Sequence, residues 1–228
     1  MKKIVVLTGA GMSAESGIQT FRDSDGLWEQ HKIDDVATPD AWRKNPSLVL
    51  EFYNKRRRQL IEVEPNDGHY LLAKLEQKYD VSIITQNVDN LHERAGSSKI
   101  IHLHGELMKV RSTHIDEEIF ELNAENYEVH LGDKCPKGKQ LRPHIVWFGE
   151  AVPEIESAIK LTCQADIFVI IGTSLQVYPA AGLVNYVKPG VPIFLIDPKR
   201  VEPVSGNVTV IQKGGSEGMK ELVSLLLD

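Results

Sequence analysis

The feature that most constrains the fold of this chain is a short apolar segment that runs directly into a glycine-rich loop. Residues 4–8 are Ile-Val-Val-Leu-Thr, and Gly9, Gly11 and Ala14 follow with the spacing of the G-x-G-x-x-G/A dinucleotide fingerprint. In that fingerprint the glycines let the backbone approach a pyrophosphate, and the amino terminus of the next helix faces its negative charge. The loop therefore predicts a strand–loop–helix site for NAD, and a glycine-rich turn without a ligand is the alternative.

The sequence after this loop departs from that of an ordinary dehydrogenase. Such an enzyme continues with a crossover helix and a second strand, and an acidic residue about 20 positions further on holds a ribose. Here residues 23–40 are mostly polar and contain no apolar strand. The predicted nucleotide loop therefore has an unusual continuation.

Short apolar runs bounded by turn residues recur along the chain and predict buried parallel strands. These runs cover residues 4–7, 81–84, 100–103, 167–171, 191–196 and 208–211. Helical patterns lie between several of them, over residues 68–78 and 153–162, and a last one begins at Ser216. This alternation predicts an α/β fold with a Rossmann-like, doubly wound parallel sheet.

Two segments interrupt the alternation, one helical and polar and the other polar and irregular. We therefore predict a single domain over residues 1–228 with a large Rossmann-like lobe and a small lobe. The large lobe comprises residues 1–28, 66–110 and 142–228, and the small lobe is built from the insertions 29–65 and 111–141. Ligands of such folds bind beyond the carboxyl ends of the strands, so the residues that follow each strand are candidate site residues.

Composition excludes several classes of function. The chain has 228 residues, of which 42% are hydrophobic and 25% charged, as in an ordinary globular protein with one main core. Its net charge of -6 argues against a general nucleic-acid binder, which shows a basic excess. No apolar stretch approaches the roughly 20 residues that span a bilayer, and the amino terminus reads as a strand rather than a cleavable signal. We expect a cytoplasmic monomer without a nucleic-acid or membrane partner.

Amide and carboxylate side chains are dense after the second predicted strand. Gln86, Asn87 and Asp89 directly follow residues 81–84 and the threonine that ends the run. Asn87 and Asp89 are suited to hydrogen-bond a carboxamide such as nicotinamide. Turn formation and helix capping are the alternative explanation for both residues.

Two further strand ends carry candidate groups. His104 follows residues 100–103, and histidine is the usual base near neutral pH, although a lone histidine is often structural. Gly172, Thr173 and Ser174 follow residues 167–171 and form a small hydroxyl-bearing turn. This turn is suited to phosphate or ribose, and a simple helix cap is the alternative.

The order and content of these motifs resemble those of one family, the sirtuins. The sirtuin pattern GAG-x-S-x-x-SGI-x-x-FR is met by residues 9–22, its TQN-x-D-x-LH by residues 85–92, and its HG and GTS by residues 104–105 and 172–174. The segment 146–150, Val-Trp-Phe-Gly-Glu, resembles the substrate loop of the family. The resemblance extends from the first strand to the final helix.

The resemblance implies an NAD-dependent protein deacylase that acts on acylated lysine in proteins or peptides. In sirtuins the acyl oxygen attacks the nicotinamide ribose, nicotinamide leaves, and the acyl group ends on ADP-ribose. By resemblance, His104 is the general base and Asn87 the second catalytic residue. An NAD-dependent mono-ADP-ribosyltransferase is the second candidate and a non-catalytic NAD-binding module the third, disfavoured because His104, Asn87 and Asp89 are all present.

The resemblance also implies which residues bind NAD. They come from the first loop and from later strand ends: Gly9, Ala10, Gly11, Ala14, Glu15, Phe21, Arg22, Gln86, Asn87, Asp89, Gly172, Thr173, Ser174 and Asp197. Asp89 is expected to bind the carboxamide, and Phe21 is expected to shield the cationic intermediate from water. Asp197 stands where the family often has asparagine for the adenosine ribose.

The substrate loop is expected to hold the peptide as an extended strand, because backbone pairing binds a chain with little side-chain selectivity. The implied substrate-binding residues of this loop are Val146, Trp147, Phe148 and Gly149. Core packing is the alternative role for Trp147 and Phe148.

Tyr53 and Arg56 bear on the identity of the acyl group. They are spaced i to i+3 in a segment, 46–60, that reads as a helix, so they share a face. They match the Tyr-x-x-Arg signature of the sirtuin branch that removes succinyl, malonyl or glutaryl groups, and a guanidinium binds a carboxylate bidentately. The alternative places Arg56 on a solvated basic face with Lys55, Arg57 and Arg58.

The chain departs from the family pattern at the zinc site. Most sirtuins hold zinc with two cysteine pairs, whereas here Ser112 and Ile115 stand at the first pair and only Cys135 remains of the second. Four thiolates are not available, so we expect no zinc. A mixed site of His114, His130, Cys135 and an acidic residue is the alternative.

Overall fold

Eleven strands and seven α-helices form the described part of the computed structural model, which comprises residues 1–18, 27–28, 31–114, 117–199 and 207–227. The strands are β1 (Lys3–Thr8), β2 (Leu27–Trp28), β3 (His31–Lys32), β4 (Asp80–Thr85), β5 (Ile100–His102), β6 (Gly105–Ser112), β7 (Ile119–Glu121), β8 (Leu141–Ile145), β9 (Ile167–Ile171), β10 (Ile193–Ile196) and β11 (Val208–Ile211). The helices are α1 (Ile33–Val36), α2 (Pro39–Lys44), α3 (Pro46–Glu62), α4 (Asp67–Leu75), α5 (Leu91–Arg94), α6 (Ile155–Thr162) and α7 (Gly215–Leu227). Within these described residues, no helix is both long and apolar enough to cross a membrane.

The central sheet contains the six strands that the apolar runs predict. All neighbouring strands are parallel, in the order β11-β10-β9-β1-β4-β5. Counted along the sheet, this is the 3-2-1-4-5-6 order of a doubly wound Rossmann fold, in which the direction of winding reverses between β1 and β9. The predicted fold class is therefore confirmed.

Alternate residues of the central strands build two separate cores. Ile4 and Val6 of β1 pack on one face with α4 and α7, whereas Val5 and Leu7 pack on the other with α6 and a 3-10 helix over Ala180–Tyr186. Because both faces are covered, the strands are apolar throughout and were easy to find in the sequence.

A second, antiparallel sheet has the order β7-β6-β8. Of its strands, β7 lies within the segment 111–141, and β6 and β8 only overlap the ends of that segment. The sequence analysis expected an irregular segment, which holds for most of its described residues and is wrong for β7. The strands are short or mix polar with apolar residues, so they carry little of the signal that marks a buried strand. The predicted lobe borders at 110 and 142 fall inside β6 and close to the start of β8, and the division into two lobes stays a prediction.

Helix α3 lies over this second sheet. It begins where Asn45 accepts a hydrogen bond from the Leu48 amide and Pro46 occupies the first turn, both of which favour a helix start. Its buried face, which includes Phe52 and Tyr53, packs against residues of β6 and β8 and against Trp147. This packing brings side chains of α3 to the edge of the central sheet.

Candidate active site

A cleft of about 440 Å³ opens at the carboxyl ends of β1, β4, β9 and β10. Every predicted site residue that the structure describes lines it, namely Gly9, Ala10, Gly11, Ala14, Glu15, Tyr53, Arg56, Gln86, Asn87, Asp89, His104, Val146, Trp147, Phe148, Gly149, Gly172, Thr173, Ser174 and Asp197. Phe21 and Arg22 lie outside the described residues. The structure thus brings the predicted residues together, and their individual roles stay predictions.

The glycines of the first loop lie against the turn that follows β9. A Cβ on Gly11 would be 2.6 Å from the Cα of Gly172, and a Cβ on Gly9 would be 2.8 Å from the Gly172 carbonyl oxygen. Gly172 itself has a φ of +63°, which disfavours other residues. Amide hydrogen bonds from Gly9 to Ile171 and from Gly11 to Gly172 join the two turns. Glycine is therefore required here by loop-to-loop packing as well as by any ligand.

The helix expected after this loop is absent from residues 10–18, and that expectation was wrong. Two 3-10 helices, Ala10–Met12 and Ala14–Ser16, take its place, and Gly17 ends the second in a left-handed conformation with a φ of 94°. The dipole of a long helix therefore does not face the cleft from this part of the chain.

Asn87, Ser13 and Asp89 form one hydrogen-bonded chain at the end of β4. The Asn87 side-chain amide donates to the Gly9 carbonyl at 3.0 Å and to the Ser13 hydroxyl oxygen at 3.1 Å, and Ser13 donates to the Asp89 carboxylate at 2.9 Å. With both amide protons used, Asn87 Oδ1 is left as an acceptor. Asp89 also accepts a hydrogen bond from the Leu91 amide at 3.2 Å at the start of α5. Asp89 therefore caps this helix and lines the cleft at the same time. Burial raises the pKa of Asp89.

His104 lies beside these groups with a defined tautomer. Its Nδ1 is 2.9 Å from the Gln86 carbonyl oxygen, which only a protonated Nδ1 can bind. The Nε2 atom then carries the lone pair, and no partner for it occurs among the described residues. Burial lowers the pKa of His104, so the imidazole is neutral at physiological pH. A neutral imidazole with a free lone pair is the state that a general base requires.

Three hydrogen bonds position other predicted cofactor-binding residues of the cleft. Gln86 Nε2 donates to the Thr173 hydroxyl at 3.0 Å, which joins the ends of β4 and β9. Glu15 accepts from the Ser216 amide at 3.1 Å and so caps α7. Asp197, after β10, is buried and accepts from the Lys199 amide at 2.9 Å.

Tyr53 and Trp147 meet at the opposite end of the cleft. Trp147 Nε1 donates to the Tyr53 hydroxyl at 3.0 Å, and the Arg142 guanidinium lies 3.4 Å above the centre of the Trp147 ring. Burial raises the pKa of Tyr53 to about 12, so the phenol keeps its proton. Because its oxygen accepts from Trp147, the phenol proton remains available for an acceptor in the cleft.

The basic run of residues 55–58 is divided between the cleft side and solvent. Arg56 is 6% exposed and Arg57 fully buried, whereas the side chains of Lys55 and Arg58 are 59% and 60% exposed. Arg56 lines the cleft beside Tyr53. The solvated-face alternative is therefore wrong for Arg56.

The substrate-loop residues differ in their surroundings. Trp147 is part of the core, as the packing alternative proposed, and also lines the cleft, whereas Phe148 is 47% exposed. The amides of Val146, Trp147 and Phe148 already donate to His104, Glu150 and Ala37 respectively. An extended peptide would have to pair with the other backbone amides and carbonyls of this loop.

Sequence reasoning assigned no role to Ser13 or Glu150, although both lie within the quoted motifs. Glu150 accepts hydrogen bonds from Arg142 at 2.8 Å and from the Trp147 amide at 2.8 Å, and Arg111 lies 3.4 Å away. Charge patterns could not reveal this cluster, because its members come from β6, β8 and a loop.

The structure brings no three metal-ligating side chains together in its described ranges. Cys135 is buried, and the Ser112 hydroxyl donates to its sulfur at 3.1 Å. The proposed mixed site of His114, His130 and Cys135 is thus not assembled there, and the absence of zinc stays an expectation.

Comparison with known proteins agrees with this arrangement. The Sir2 family model matches residues 9–179. An NAD-dependent protein deacylase of Bacteroides thetaiotaomicron is 61% identical over 231 residues, which covers 100% of this chain and 99% of the relative. An NAD-dependent protein deacylase of Helicobacter pylori is 53% identical over 229 residues, with 100% and 99% covered.

Solved structures show the same similarity in three dimensions. A Sir2 homologue in complex with NAD is 40% identical with a TM-score of 0.88, and 99% of this chain and 90% of that chain are covered. A Sir2–p53 peptide–NAD+ complex is 32% identical with a TM-score of 0.78, covering 97% and 92%. Because the family model, the full-length relatives and the layout of the cleft agree, this chain belongs to the Sir2 family.

Proposed function

We propose that this enzyme, an NAD-dependent protein deacylase, prefers lysine side chains that carry a succinyl or malonyl group. The observation that carries the preference is the pair Tyr53 and Arg56, which lines the cleft at the end opposite the glycine loop. A phenol proton and a guanidinium are both hydrogen-bond donors, and a carboxylate accepts from both. An acetyl group lacks this carboxylate and would form neither of these two hydrogen bonds.

The glycine-loop half of the cleft suits NAD by the chemistry of its free groups. Asn87 Oδ1 is an acceptor for a ribose hydroxyl, and Asp89 is an acceptor for the amide protons of nicotinamide. Small residues of the turns after β1 and β9 line the cleft, where their backbone can approach a pyrophosphate. When bound, NAD supplies the ribose carbon that receives the acyl oxygen, with nicotinamide as leaving group.

His104 acts as the base in this arrangement. The Gln86 carbonyl holds its Nδ1 proton, and its Nε2 takes a proton from a ribose hydroxyl. Burial keeps the imidazole neutral before this transfer. Asn87, anchored to Gly9 and Ser13, orients the ribose hydroxyls relative to that nitrogen.

The acyl-lysine substrate is supported by the similarity to the peptide complex and by the open acyl end of the cleft. Trp147 lines the cleft; its indole contacts Tyr53 and Arg142, and its backbone amide donates to Glu150. Tyr53 and His104 line the same cleft. An ADP-ribosyltransferase without a deacylase activity is therefore not favoured.

The experiment that tests this function measures kcat/KM on one peptide carrying either acetyl-lysine or succinyl-lysine, with and without NAD. We expect NAD-dependent turnover that favours the succinyl peptide by at least about tenfold. A preference for the acetyl peptide would contradict the proposed acidic-acyl preference but would agree with a deacylase activity. Nicotinamide release that needs no acylated peptide would favour ADP-ribosyl transfer.

We also propose that the enzyme acts as a monomer. The support is that one chain supplies a cleft with both a cofactor half and an acyl half. Light scattering at micromolar concentration tests this, and a dimer mass would contradict it.

A further inference from the structure

Arg57 is a fully buried cation without an anionic partner. Its Nε donates to the Leu107 carbonyl at 2.8 Å, and its Nη1 donates to Asn54 Oδ1 at 2.8 Å. Its Nη2 has no hydrogen-bond partner, and no carboxylate among the described residues forms an ion pair with it. Both of its acceptors are neutral.

Such an arrangement is unusual, because buried charges are normally paired. Burial lowers the pKa of Arg57 to about 10, which still leaves the guanidinium charged at neutral pH. The chain therefore maintains a fixed positive charge in a medium of low polarity, where its field is only weakly screened.

This charge lies behind the acyl end of the cleft. Tyr53, Arg56 and Arg57 have the i, i+3 and i+4 spacing that places them on one face of α3. The guanidiniums of Arg56, Arg142 and Arg57 all act on the Tyr53 hydroxyl. Of these, Arg142 is offset by Glu150 at 2.8 Å, whereas Arg57 has no such carboxylate.

We propose that Arg57 is a specificity-determining residue whose charge is balanced by the distal carboxylate of an acidic acyl-lysine bound at Tyr53 and Arg56. This inference rests on the proposed acidic-acyl preference. Arg57 does not line the cleft, so it acts through the field it adds there and not through direct contact.

The test uses three peptides that carry succinyl-lysine, its neutral carboxamide analogue or acetyl-lysine. The ratio of kcat/KM for the succinyl peptide to that for the carboxamide peptide measures charge recognition at nearly constant shape. In Arg57→Met we expect this ratio to fall about tenfold, and in Arg57→Lys to fall less than about threefold. Both substrates see the same variant, so a general loss of folding cancels in the ratio.

A second variant tests the charge without removing the guanidinium. Asn54→Asp puts a carboxylate against Arg57 Nη1 and keeps an acceptor for the Val129 amide, which now donates to Asn54 at 3.0 Å. It removes the hydrogen bond that Asn54 Nδ2 donates to the Val129 carbonyl at 3.0 Å, so thermal unfolding of the variant is measured beside its activity. We expect the ratio to fall about as far as in Arg57→Met, because the positive charge is offset internally. Lys55→Met, an exposed charge on the same helix, is the matched control and should leave the ratio unchanged.

The outcomes separate the two proposals. A wild-type ratio near one would overturn the acidic-acyl preference and the role of Arg57 with it. A high wild-type ratio that persists in Asn54→Asp and in Arg57→Met would overturn the role of Arg57 and leave the acyl preference standing. If Arg57→Met does not fold, the ratio of kcat/KM in Asn54→Asp tests the role of Arg57.

Discussion

The two ends of the cleft are built in different ways. The cofactor end is lined by turns that follow strands of the central sheet, and its groups are joined by short hydrogen bonds among Asn87, Ser13 and Asp89. The acyl end is lined by side chains of helix α3 and of the loop after β8, and the charges of Arg56, Arg57 and Arg142 act on the Tyr53 hydroxyl.

This difference teaches where each part of the function resides. The cofactor end depends on backbone positions that the parallel sheet brings together, so its chemistry serves any acyl group. The proposed acyl end depends on helix α3, which lies outside that sheet, so we expect substitutions there to change substrate choice without disturbing the cofactor end. The predictions below test this division.

His104→Ala should remove the general base at the cofactor end and have the largest effect on activity. We expect kcat on acetyl and succinyl peptides to fall together by about a thousandfold, because the base is lost for both. Steady-state deacylation assays measure this, and calorimetry with NAD checks that the cofactor still binds. His130→Ala, an exposed histidine 26 positions along, is the control. A loss on one acyl peptide alone would contradict the shared role.

Arg56→Met should break the acyl end alone. We expect kcat/KM on the succinyl peptide to fall about 30-fold, because a charged hydrogen bond to the carboxylate is lost, and the acetyl value to change by less than about threefold. Arg58→Met removes an exposed guanidinium from the same helix and should change neither value. Equal losses of kcat/KM on both peptides in Arg56→Met would contradict carboxylate binding and indicate a structural role for Arg56.

Glu150→Gln should loosen the loop of residues 146–150, which is the predicted substrate loop. Burial raises the pKa of Glu150, but hydrogen bonds and charges from Arg142, Trp147 and Arg111 outweigh it and lower the pKa overall, so the residue is an anion. Its neutralisation leaves Arg142 and Arg111 without this partner. We expect KM for both peptides to rise about fivefold with a smaller change in kcat. Glu117→Gln, whose carboxylate is 63% exposed, is the control, and an unchanged KM in Glu150→Gln would contradict the role of the cluster.

The pH dependence should show the smallest effect and should be the same for both acyl peptides. His104 must be neutral, and burial lowers its pKa below the usual 6.5. Activity is therefore retained at neutral pH and lost only as the pH falls through this lowered pKa. Between pH 8 and pH 7 we expect kcat/KM to change by less than about twofold from this group. An acid limb centred above pH 6.5 in the rate profile would contradict this assignment.

The sequence predicted the central sheet well because its strands are short apolar runs, and β1, β4 and β9 are buried on both faces. Six apolar runs became six strands, and the polar residues after them reached one cleft. The antiparallel sheet was missed, because β7 is short with two exposed residues and β6 mixes polar with apolar residues without a regular alternation. The 3-10 helices after Gly9 were missed as well, since the dinucleotide fingerprint carries an expectation of a longer helix.

By itself the sequence determined the order in which the candidate functional groups follow the strands along the chain. A glycine loop, an amide and carboxylate cluster, a histidine and a hydroxyl-bearing turn each follow an apolar run. It also determined that Tyr53 and Arg56 share a helical face, because helix periodicity follows from spacing alone. Only the tertiary structure decided which of four consecutive basic residues are buried. The apolar partners of that face, including Leu107, Ile145 and Trp147, come from distant positions in the chain, and local patterns do not encode such contacts.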